Sequence, residues 1–337
     1  MRSVFFPRLV NGPFGDPALY VHLAHRGEAL LFDCGDLHSL APREILRLQS
    51  IFISHAHIDH LCGFDLLLRH FLYRDRPLRL CGPPGLIDRL EHKLAGYTWN
   101  LVEGYPLELV VAEWGEPQGR QALFRAARGF RREEETAISF PQGAMLATPD
   151  FRVRAVSLEH GDIPSLAYAL EETLHVAIHK DALAAFGYRP GPWLTRFKEL
   201  VRRPASSEQP VRVPLVGGGE ACRPLGELVA TIAHLERGMK IVYVTDASPS
   251  EENAEKIVAL AADAHLLAIE ATFADQDLDR ARTRNHLTAR LAGELARRAG
   301  AARLLVFHHS PRYQDQPQRL GEEALQAFQA TGEPGGG

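Results

Sequence analysis

Three imidazoles and one carboxylate lie within six residues of the chain, in the segment from His55 to His60. The segment reads His-Ala-His-Ile-Asp-His and follows an apolar run at 51–54 that predicts a β-strand. Gly63 and the apolar residues after it predict a turn into a helix. Neutral imidazole and carboxylate are ligands suited to Zn²⁺ and similar divalent ions. The spacing therefore predicts a metal site in a structured loop rather than a histidine-rich surface loop.

Single metal-capable residues follow three later segments that predict strands. They are His160, Asp246 and His308. Functional loops of an α/β fold gather at the carboxyl ends of strands, so these residues could complete a site for two metal ions. Taken one at a time, each could instead be a capping or hydrogen-bonding loop residue, and the adjacent His309 could replace His308 as the ligand.

The bulk properties of the chain exclude several classes of protein. Its 337 residues, 45% of them apolar, suffice for one large α/β domain or two smaller ones. A formal net charge of -4 argues against nucleic-acid binding over the whole surface, so RNA contact needs local basic patches. No signal peptide is recognisable, and no apolar run reaches the roughly 20 residues that span a bilayer. We expect a cytoplasmic protein without a membrane partner.

Four cysteines show no paired spacing, which indicates neither a disulfide framework nor a thiolate metal site: Cys34, Cys62, Cys81 and Cys222.

Alternating β-rich and helical segments predict an α/β fold without internal repeats. The predicted strands are 20–23, 29–33, 51–54, 78–81, 151–158, 166–170, 240–245, 265–269 and 303–307. The predicted helices are 42–46, 63–73, 85–95, 194–201, 251–262, 288–299 and 321–331. We expect one domain over residues 1–331, with an irregular insertion similar to a substrate arm at about 168–213 and a disordered tail at 332–337.

The order of these motifs resembles the metallo-β-lactamase fold superfamily. That superfamily has a His-x-His-x-Asp-His loop, then an isolated His, Asp and His after strands, and Asp33 in Asp-Cys-Gly resembles its early Asp-x-Gly turn. Within the superfamily, three later motifs are similar to the ribonuclease Z branch, the tRNA 3′-processing endonucleases. These motifs are Glu270-Ala-Thr-Phe, Asn285-His-Leu-Thr and His308-His-Ser-Pro-Arg-Tyr. The resemblance covers about residues 20–315.

The resemblance implies a four-layer αββα fold with two packed mixed sheets flanked by helices. It also implies two divalent metal ions, Zn²⁺ or alternatively Mn²⁺, which share a hydroxide. The implied ligands are His55, His57 and His160 for the first ion, Asp59, His60 and His308 for the second, and Asp246 as a bridge between them. The register of the final motif makes His308 the ligand in place of His309.

The resemblance further implies hydrolysis of a tRNA precursor and a homodimeric protein. Cleavage would leave a 3′-hydroxyl on the upstream RNA and a 5′-phosphate on the released trailer. Asp59 would orient the hydroxide or accept its proton. Glu270 would keep His286 protonated, so that the imidazolium protonates the leaving oxygen or stabilises charge on the phosphate. The final motif supplies the implied substrate contacts Ser310, Arg312 and Tyr313.

A basic segment adds a candidate RNA surface beside the Arg-Pro-Gly-Pro-Trp sequence at 189–193, which resembles part of the family's substrate arm. We expect Arg196 and Lys198 to contact substrate, with Arg202 and Arg203 in the same cluster. Ile269 stands where the branch has the histidine of its His-Glu-Ala-Thr motif. Departures of this kind concern the substrate, so an alternative stays open: hydrolysis of a small phosphodiester, a cyclic nucleotide or a lactone.

Overall fold

The computed structural model describes residues 4–24, 26–203 and 205–330. The predicted disordered tail at 332–337 lies outside the described residues. The strands are β1 (Phe5–Leu9), β2 (Leu19–Leu23), β3 (Glu28–Phe32), β4 (Leu48–Phe52), β5 (Leu78–Gly82), β6 (Glu108–Glu113), β7 (Gly119–Arg125), β8 (Arg132–Ile138), β9 (Ala144–Ala147), β10 (Phe151–His160), β11 (Ile163–Glu172), β12 (His175–Ile178), β13 (Pro210–Pro214), β14 (Glu220–Pro224), β15 (Ala233–Glu236), β16 (Lys240–Val244), β17 (Leu266–Glu270) and β18 (Leu304–Phe307). The α-helices are α1 (Pro42–Ile45), α2 (Ile58–Leu61), α3 (Phe64–Phe71), α4 (Leu86–Ala95), α5 (Lys180–Ala185), α6 (Trp193–Arg202), α7 (Leu225–Ile232), α8 (Glu251–Ala261), α9 (Leu278–Arg284), α10 (Ala289–Arg298) and α11 (Arg319–Gln329).

Two large sheets contain most of the strands. The first sheet has strands β1 to β8 in chain order, with parallel pairing from β3 to β6 and antiparallel pairing at both margins. The second sheet has the order β18-β17-β16-β11-β10-β9, and β16, β17 and β18 run parallel. A connection of only two residues joins β10 to β11, which makes them a hairpin. Parallel strands deliver their carboxyl ends to one edge of each sheet.

Aromatic side chains fill the space between the two sheets. Phe52 contacts Tyr168 with ring centroids 5.5 Å apart, and Phe32 contacts Tyr243 at 5.8 Å. On its outer face the first sheet packs against α1, α3 and α4, while the second packs against α8, α10 and α11. Central strands buried on both faces need continuous apolar runs, which β3 and β16 have. The result is the predicted four-layer αββα fold.

A smaller compact unit is formed by Leu146–Val153 and Leu170–Met239. It contains the antiparallel pairs β12–β15 and β13–β14 and an apolar core around the buried Phe197. The segment at 168–213 contains regular elements, which are the end of β11, β12, α5, α6 and most of β13. Its prolines and glycines mark turns between short elements instead of one long loop. Whether this segment acts as a substrate arm stays a prediction.

Arg202 at the end of α6 points into this smaller unit. Its Nη1 atom lies 2.8 Å from Asp150 Oδ1, its Nη2 atom lies 3.3 Å from Glu172 Oε1, and its Nε donates to the Leu174 carbonyl at 2.9 Å. Lys198 also interacts with other groups of the chain, whereas Arg196 is exposed. Arg202 is therefore a structural cation held by two carboxylates, and it is not part of an exposed basic surface with Arg196.

None of the helices in residues 4–24, 26–203 and 205–330 combines the length and the apolar character that a bilayer-spanning segment needs.

Candidate metal centre

All seven predicted metal ligands lie together at one edge of the sheets. They occupy the ends of β4, β10, β16 and β18 or the first turn of α2, which begins at Ile58. Tyr168 fixes this edge, since its hydroxyl donates to the Ile53 carbonyl at 2.6 Å, and the Leu166 N–H donates to the Ser54 carbonyl at 2.9 Å. The segment that follows β4 is thus held against β11 of the second sheet by one side-chain and one backbone hydrogen bond.

A first group of ligands contains three histidines and one aspartate. One ligand atom from each residue lies within 4.8 Å of the others in the set His55, His57, His160 and Asp246. The Nε2 atom of His55 is 2.8 Å from His57 Nδ1 and 3.5 Å from Asp246 Oδ2, and His160 Nε2 is 3.7 Å from the same oxygen. Several nitrogen and oxygen lone pairs therefore converge on one point, which suits a divalent cation.

A second group contains Asp59, His60 and His308, again within 4.8 Å of one another. Asp59 Oδ2 lies 3.2 Å from His308 Nε2 and 3.5 Å from His60 Nε2. The second oxygen of Asp246, Oδ1, lies 3.5 Å from His60 Nε2 and 3.2 Å from His308 Nδ1. Asp246 thus presents one oxygen to each group, as a carboxylate shared by two ions must.

The donor set fits a metal better than it fits a network of hydrogen bonds. His60 is fully buried, yet its Nε2 atom has no hydrogen-bond partner among the described residues. Leaving a buried polar atom without a partner costs about 1–3 kcal/mol. A cation between His60, Asp59 and Asp246 would satisfy this nitrogen together with the two carboxylates.

Asp33 fixes the orientation of His60 from behind. This buried carboxylate accepts hydrogen bonds from the Ser54 N–H at 2.7 Å, the Ser54 hydroxyl at 2.8 Å and the Tyr243 hydroxyl at 2.8 Å. Its Oδ2 also lies 2.9 Å from His60 Nδ1. A carboxylate can only accept, so His60 carries a hydrogen on Nδ1 and directs its other nitrogen into the site.

Ser54 extends the same control to His55. Its hydroxyl donates to Asp33, and its oxygen lies 3.0 Å from His55 Nδ1. Because the hydroxyl hydrogen is committed to Asp33, the oxygen accepts from His55 Nδ1–H and leaves Nε2 of His55 with a lone pair. One serine therefore sets the tautomer of a histidine in the first group and contacts the carboxylate behind the second.

The charges of the site agree with ligand roles. Burial and the neighbouring His60 lower the pKa of His55 to about 2, so this imidazole is neutral. Burial raises the pKa of Asp246, but the surrounding histidines outweigh it and lower the pKa well below its ordinary value. Asp246 is therefore a carboxylate. Burial lowers the pKa of His60, whereas Asp246 and Asp33 raise it well above its usual value, and a bound cation would displace that extra proton.

Glu270 and His286 form a hydrogen-bonded pair beside the ligands. The Oε2 atom of Glu270 lies 2.9 Å from His286 Nδ1 and accepts from the Thr272 hydroxyl at 2.6 Å, while Oε1 accepts from the Ala247 N–H at 2.7 Å. Burial lowers the pKa of His286, but the charge of Glu270 and the hydrogen bond outweigh it and raise the pKa to about 9. Both oxygens of Glu270 are engaged, so we assign it to orienting His286, although the pair also falls within 4.8 Å of ligand atoms of Asp246 and His308.

Left-handed backbone conformations concentrate at this edge. Asp33 has a φ angle of 55°, Asp246 of 42° and His308 of 58°. Residues other than glycine adopt this region uncommonly, although aspartate and histidine do so more often than most. Strain of this kind costs on the order of 1–3 kcal/mol and persists only where surrounding structure enforces it. At His308 this backbone conformation directs the ring toward Asp59, whereas the ring of His309 faces away from the ligands.

His309 faces away from the ligands. Its ring Nδ1 lies 2.8 Å from the Ala271 carbonyl, and the ring packs edge-on against Phe14 with centroids 5.2 Å apart. The geometry therefore places His308, and not His309, among the converging groups.

No protein-family model matches the chain. Ribonuclease Z of Deinococcus radiodurans is 32% identical to it over 327 residues, which are 96% of this chain and 94% of that protein. The chain belongs to the ribonuclease Z family. Ribonuclease Z of Bacillus cereus is 31% identical over 322 residues, 92% of this chain and 87% of that relative. As a ribonuclease Z-family protein with this cluster of histidines and aspartates, it is a hydrolytic nuclease that depends on divalent metal ions.

Solved structures share the fold of this ribonuclease Z-family chain. Unliganded yeast PDE1 has a TM-score of 0.53 at 12% identity and covers 97% of this chain and 93% of its own. The metallo-β-lactamase fold protein YhfI from Bacillus subtilis has a TM-score of 0.52 at 16% identity, and the match covers 96% of this chain and 92% of YhfI. A long form RNase Z from yeast has a TM-score of 0.51 at 12% identity, and the match covers 91% of this chain and 38% of the yeast protein. At these identities the likeness shows the metallo-β-lactamase fold alone.

The ending motif of the ribonuclease Z family is held mainly by internal contacts. The Ser310 N–H donates to the Thr272 carbonyl at 3.1 Å, and Arg312 Nη1 lies 3.5 Å from Asp277 Oδ1. Tyr313 is buried, and its hydroxyl accepts from the Ala274 N–H at 3.1 Å and bonds to Asp277. Tyr313 is thus placed to hold the loop after β17, while Arg312 keeps 39% of its side chain exposed. Substrate contacts by these residues, and by Arg196 and Lys198 in the smaller unit, stay predictions.

The sequence-based prediction of the metal centre misses three hydroxyl side chains that position its residues: Ser54, Tyr243 and Thr272. Ser54 could have been found, because it directly precedes the first histidine of the cluster. Tyr243 gives a weaker signal as the one hydroxyl in the apolar strand β16. Thr272 lies in the Glu-Ala-Thr motif, but only the fold shows that its hydroxyl bonds to Glu270 and to the His308 carbonyl.

Proposed function

We propose that this ribonuclease Z-family hydrolase cleaves tRNA precursors at their 3′ ends with two divalent ions. The first ion would be held by His55, His57 and His160, and the second by Asp59, His60 and His308, with Asp246 shared by both. The observation that carries the proposal is the position of Asp246, whose two oxygens lie 3.2–3.7 Å from histidines of both groups. A set so rich in imidazole favours Zn²⁺, with Mn²⁺ as the alternative.

The side chains around the ions would divide the work of hydrolysis. Two divalent ions bound there would lower the pKa of a water between them and stabilise charge on the phosphate. Asp59 keeps 37% of its side chain exposed, unlike the buried Asp246, and would accept the proton of the attacking water. As the water oxygen bonds to phosphorus, the bond from phosphorus to the upstream 3′-oxygen breaks.

His286 would donate a proton to that leaving 3′-oxygen. Its Nδ1 is held by Glu270, so Nε2 is free to face the substrate. Proton donation by a positioned imidazolium contributes about 10²–10⁴-fold to a rate. The products are an upstream RNA with a 3′-hydroxyl and a trailer with a 5′-phosphate.

Cleavage of a tRNA precursor with a 3′ trailer tests this proposal. The purified protein should contain two ions per chain, zinc by elemental analysis, and should release the trailer with a 5′-phosphate. The variant His286→Gln should retain both ions but lower kcat by about 10²-fold or more. His38→Gln, a change at an exposed histidine paired with Asp36, is the matched control and should leave kcat unchanged.

A protein that holds both ions but leaves the tRNA precursor uncut would contradict the proposal. Turnover of bis-p-nitrophenyl phosphate, a cyclic nucleotide or a lactone by the same preparation would then support the alternative small substrate.

A homodimer and a cytoplasmic location belong to the proposal as well. The homodimer comes from the family resemblance, whereas the cytoplasmic location comes from the sequence, in which no apolar run reaches the roughly 20 residues that span a bilayer. Light scattering of the purified protein should give twice the 37.4 kDa mass of one chain, and fractionation of cells should recover the protein without membranes.

A further inference from the structure

Two exposed arginines lie on helix α9, which ends two residues before His286. Arg280 and Arg284 are exposed and four residues apart, so they lie on the same side of the helix. Within the described part of the chain, neither guanidinium has an ion pair or a hydrogen bond. The arginine between them differs, because Arg282 Nη1 lies 3.7 Å from Asp279 Oδ1.

The stability of the helix does not account for this pair of unpaired arginines. Like charges four residues apart destabilise a helix by about 0.2–0.5 kcal/mol. A cation in the last turn interacts favourably with the helix dipole, which applies to Arg284 as well as to Arg282, whereas Arg280 lies in the first half of the helix where that interaction is absent. The helix has only seven residues, so it has little propensity to offset the repulsion.

Helix α9 is fixed at both ends to the active site. At its N-terminus, the carboxylate of Asp277 contacts Tyr313 and Arg312. At its C-terminus, Asn285 adopts a φ angle of 58°, and its carbonyl accepts from His160 Nδ1 at 2.9 Å. The next residue is His286. Arg284 therefore directly precedes Asn285, which contacts the predicted metal ligand His160, and lies two residues before the predicted proton donor His286.

We infer that Arg280 and Arg284 bind phosphates of the substrate RNA on the side of the leaving 3′-oxygen. This rests on the proposed function, in which His286 protonates that oxygen, and the helix that carries both arginines ends two residues before His286. Arg280 and Arg284 are about 6 Å apart along the helix axis, which allows contact with separate phosphates. Guanidinium groups form the strong, charge-assisted hydrogen bonds that phosphate oxygens accept.

The double variant Arg280→Gln/Arg284→Gln tests this inference, with Arg282→Gln as the matched control on the same helix. Binding of a tRNA precursor to the full-length protein is measured by fluorescence anisotropy over a series of salt concentrations. The double variant should raise Kd about tenfold and reduce the slope of log K against log salt by about 1–2, whereas the control should change Kd less than about twofold. Arg280→Lys/Arg284→Lys should restore most of the binding, because it restores the charge.

Cleavage gives a second readout that separates phosphate binding from damage to the site. Bis-p-nitrophenyl phosphate has no flanking phosphates, so the ratio of kcat/KM for the tRNA precursor to kcat/KM for this compound should fall about tenfold in the double variant. Equal losses with both substrates, or a Kd equal to that of the control, would overturn the inference. If the wild-type protein binds the precursor without cutting it, the proposed function fails, and the comparison of Kd values still decides the role of the arginines.

Discussion

The two groups of metal ligands are supported in different ways. Behind the second group lies a buried carboxylate, because Asp33 contacts His60 at 2.9 Å. Behind the first group lie neutral oxygens, the Ser54 hydroxyl at 3.0 Å from His55 and the Asn285 carbonyl at 2.9 Å from His160. A carboxylate makes the imidazole it contacts more basic than a neutral acceptor does. We therefore expect the second group to bind its ion more tightly than the first.

Asp246→Ala should have the largest effect on metal binding, because Asp246 belongs to both groups of ligands. Each group loses its shared oxygen, and the site loses the buried negative charge that the cations need. We expect the purified variant to contain neither ion after dialysis and hydrolysis to fall to background, as measured by elemental analysis and turnover. Asp279→Asn, a change at a fully exposed carboxylate, is the control. Retention of both ions by Asp246→Ala would refute the shared role.

Asp33→Asn should separate the two groups. The amide cannot accept from all four donors that now point at Asp33, and its NH₂ group would face the hydrogen on His60 Nδ1. Loss of such a contact behind a ligand typically costs 10–100-fold in metal affinity, and we expect that loss for one ion only. Titration with a competing chelator should show one weakened and one unchanged binding step.

Asp36→Asn is the matched control for that change, since Asp36 lies on the same turn and its carboxylate pairs with the exposed His38 instead of with a predicted ligand. Equal weakening of both binding steps in Asp33→Asn would mean that the two groups do not differ as the structure indicates.

The contrast between Asp33 and the ligands also shows what a sequence can reveal. Each ligand either follows a strand or belongs to the six-residue cluster after β4, so a local pattern is enough to find it. The contact between Tyr243 and Asp33 joins residues 210 positions apart and exists only because two sheets pack face to face. Arg202 is a similar case, because a run of cations predicts an RNA surface, and only the fold shows its partner Asp150, 52 residues earlier.

The charged strands of the first sheet were missed for another reason. Strand β7 has an apolar run of only three residues, 122–124, and β8 begins with four consecutive charged residues, 132–135. Cross-strand ion pairs take the place of apolar contacts, as where Arg125 lies 2.7 Å from Glu133 and 3.0 Å from Glu108. Hydrophobic periodicity cannot detect a strand that is paired through charge.

Ser54→Ala should affect both groups, but less strongly than Asp33→Asn. The change removes the acceptor of His55 Nδ1–H and one donor to Asp33, while the Ser54 N–H still donates to Asp33. A hydrogen bond of this kind contributes about 0.5–1.5 kcal/mol, which corresponds to roughly 2–10-fold in affinity. Both binding steps should weaken by this amount in the same chelator titration. A loss confined to one step would show that Ser54 serves a single ion.

Tyr243→Phe should have the smallest effect on metal binding and should act on the second group alone. The variant removes one of the donors to Asp33 and leaves the contact between Asp33 and His60 in place. Asp33 would still be charged, so His60 should keep its tautomer, and the second ion should weaken less than about threefold. Stability should respond more than affinity, because a buried carboxylate loses a partner worth about 1–3 kcal/mol. Thermal unfolding of the metal-free variant should therefore show a lower Tm alongside nearly normal metal binding, and the opposite result, normal Tm with a lost second ion, would mean that Tyr243 orients the ligand itself.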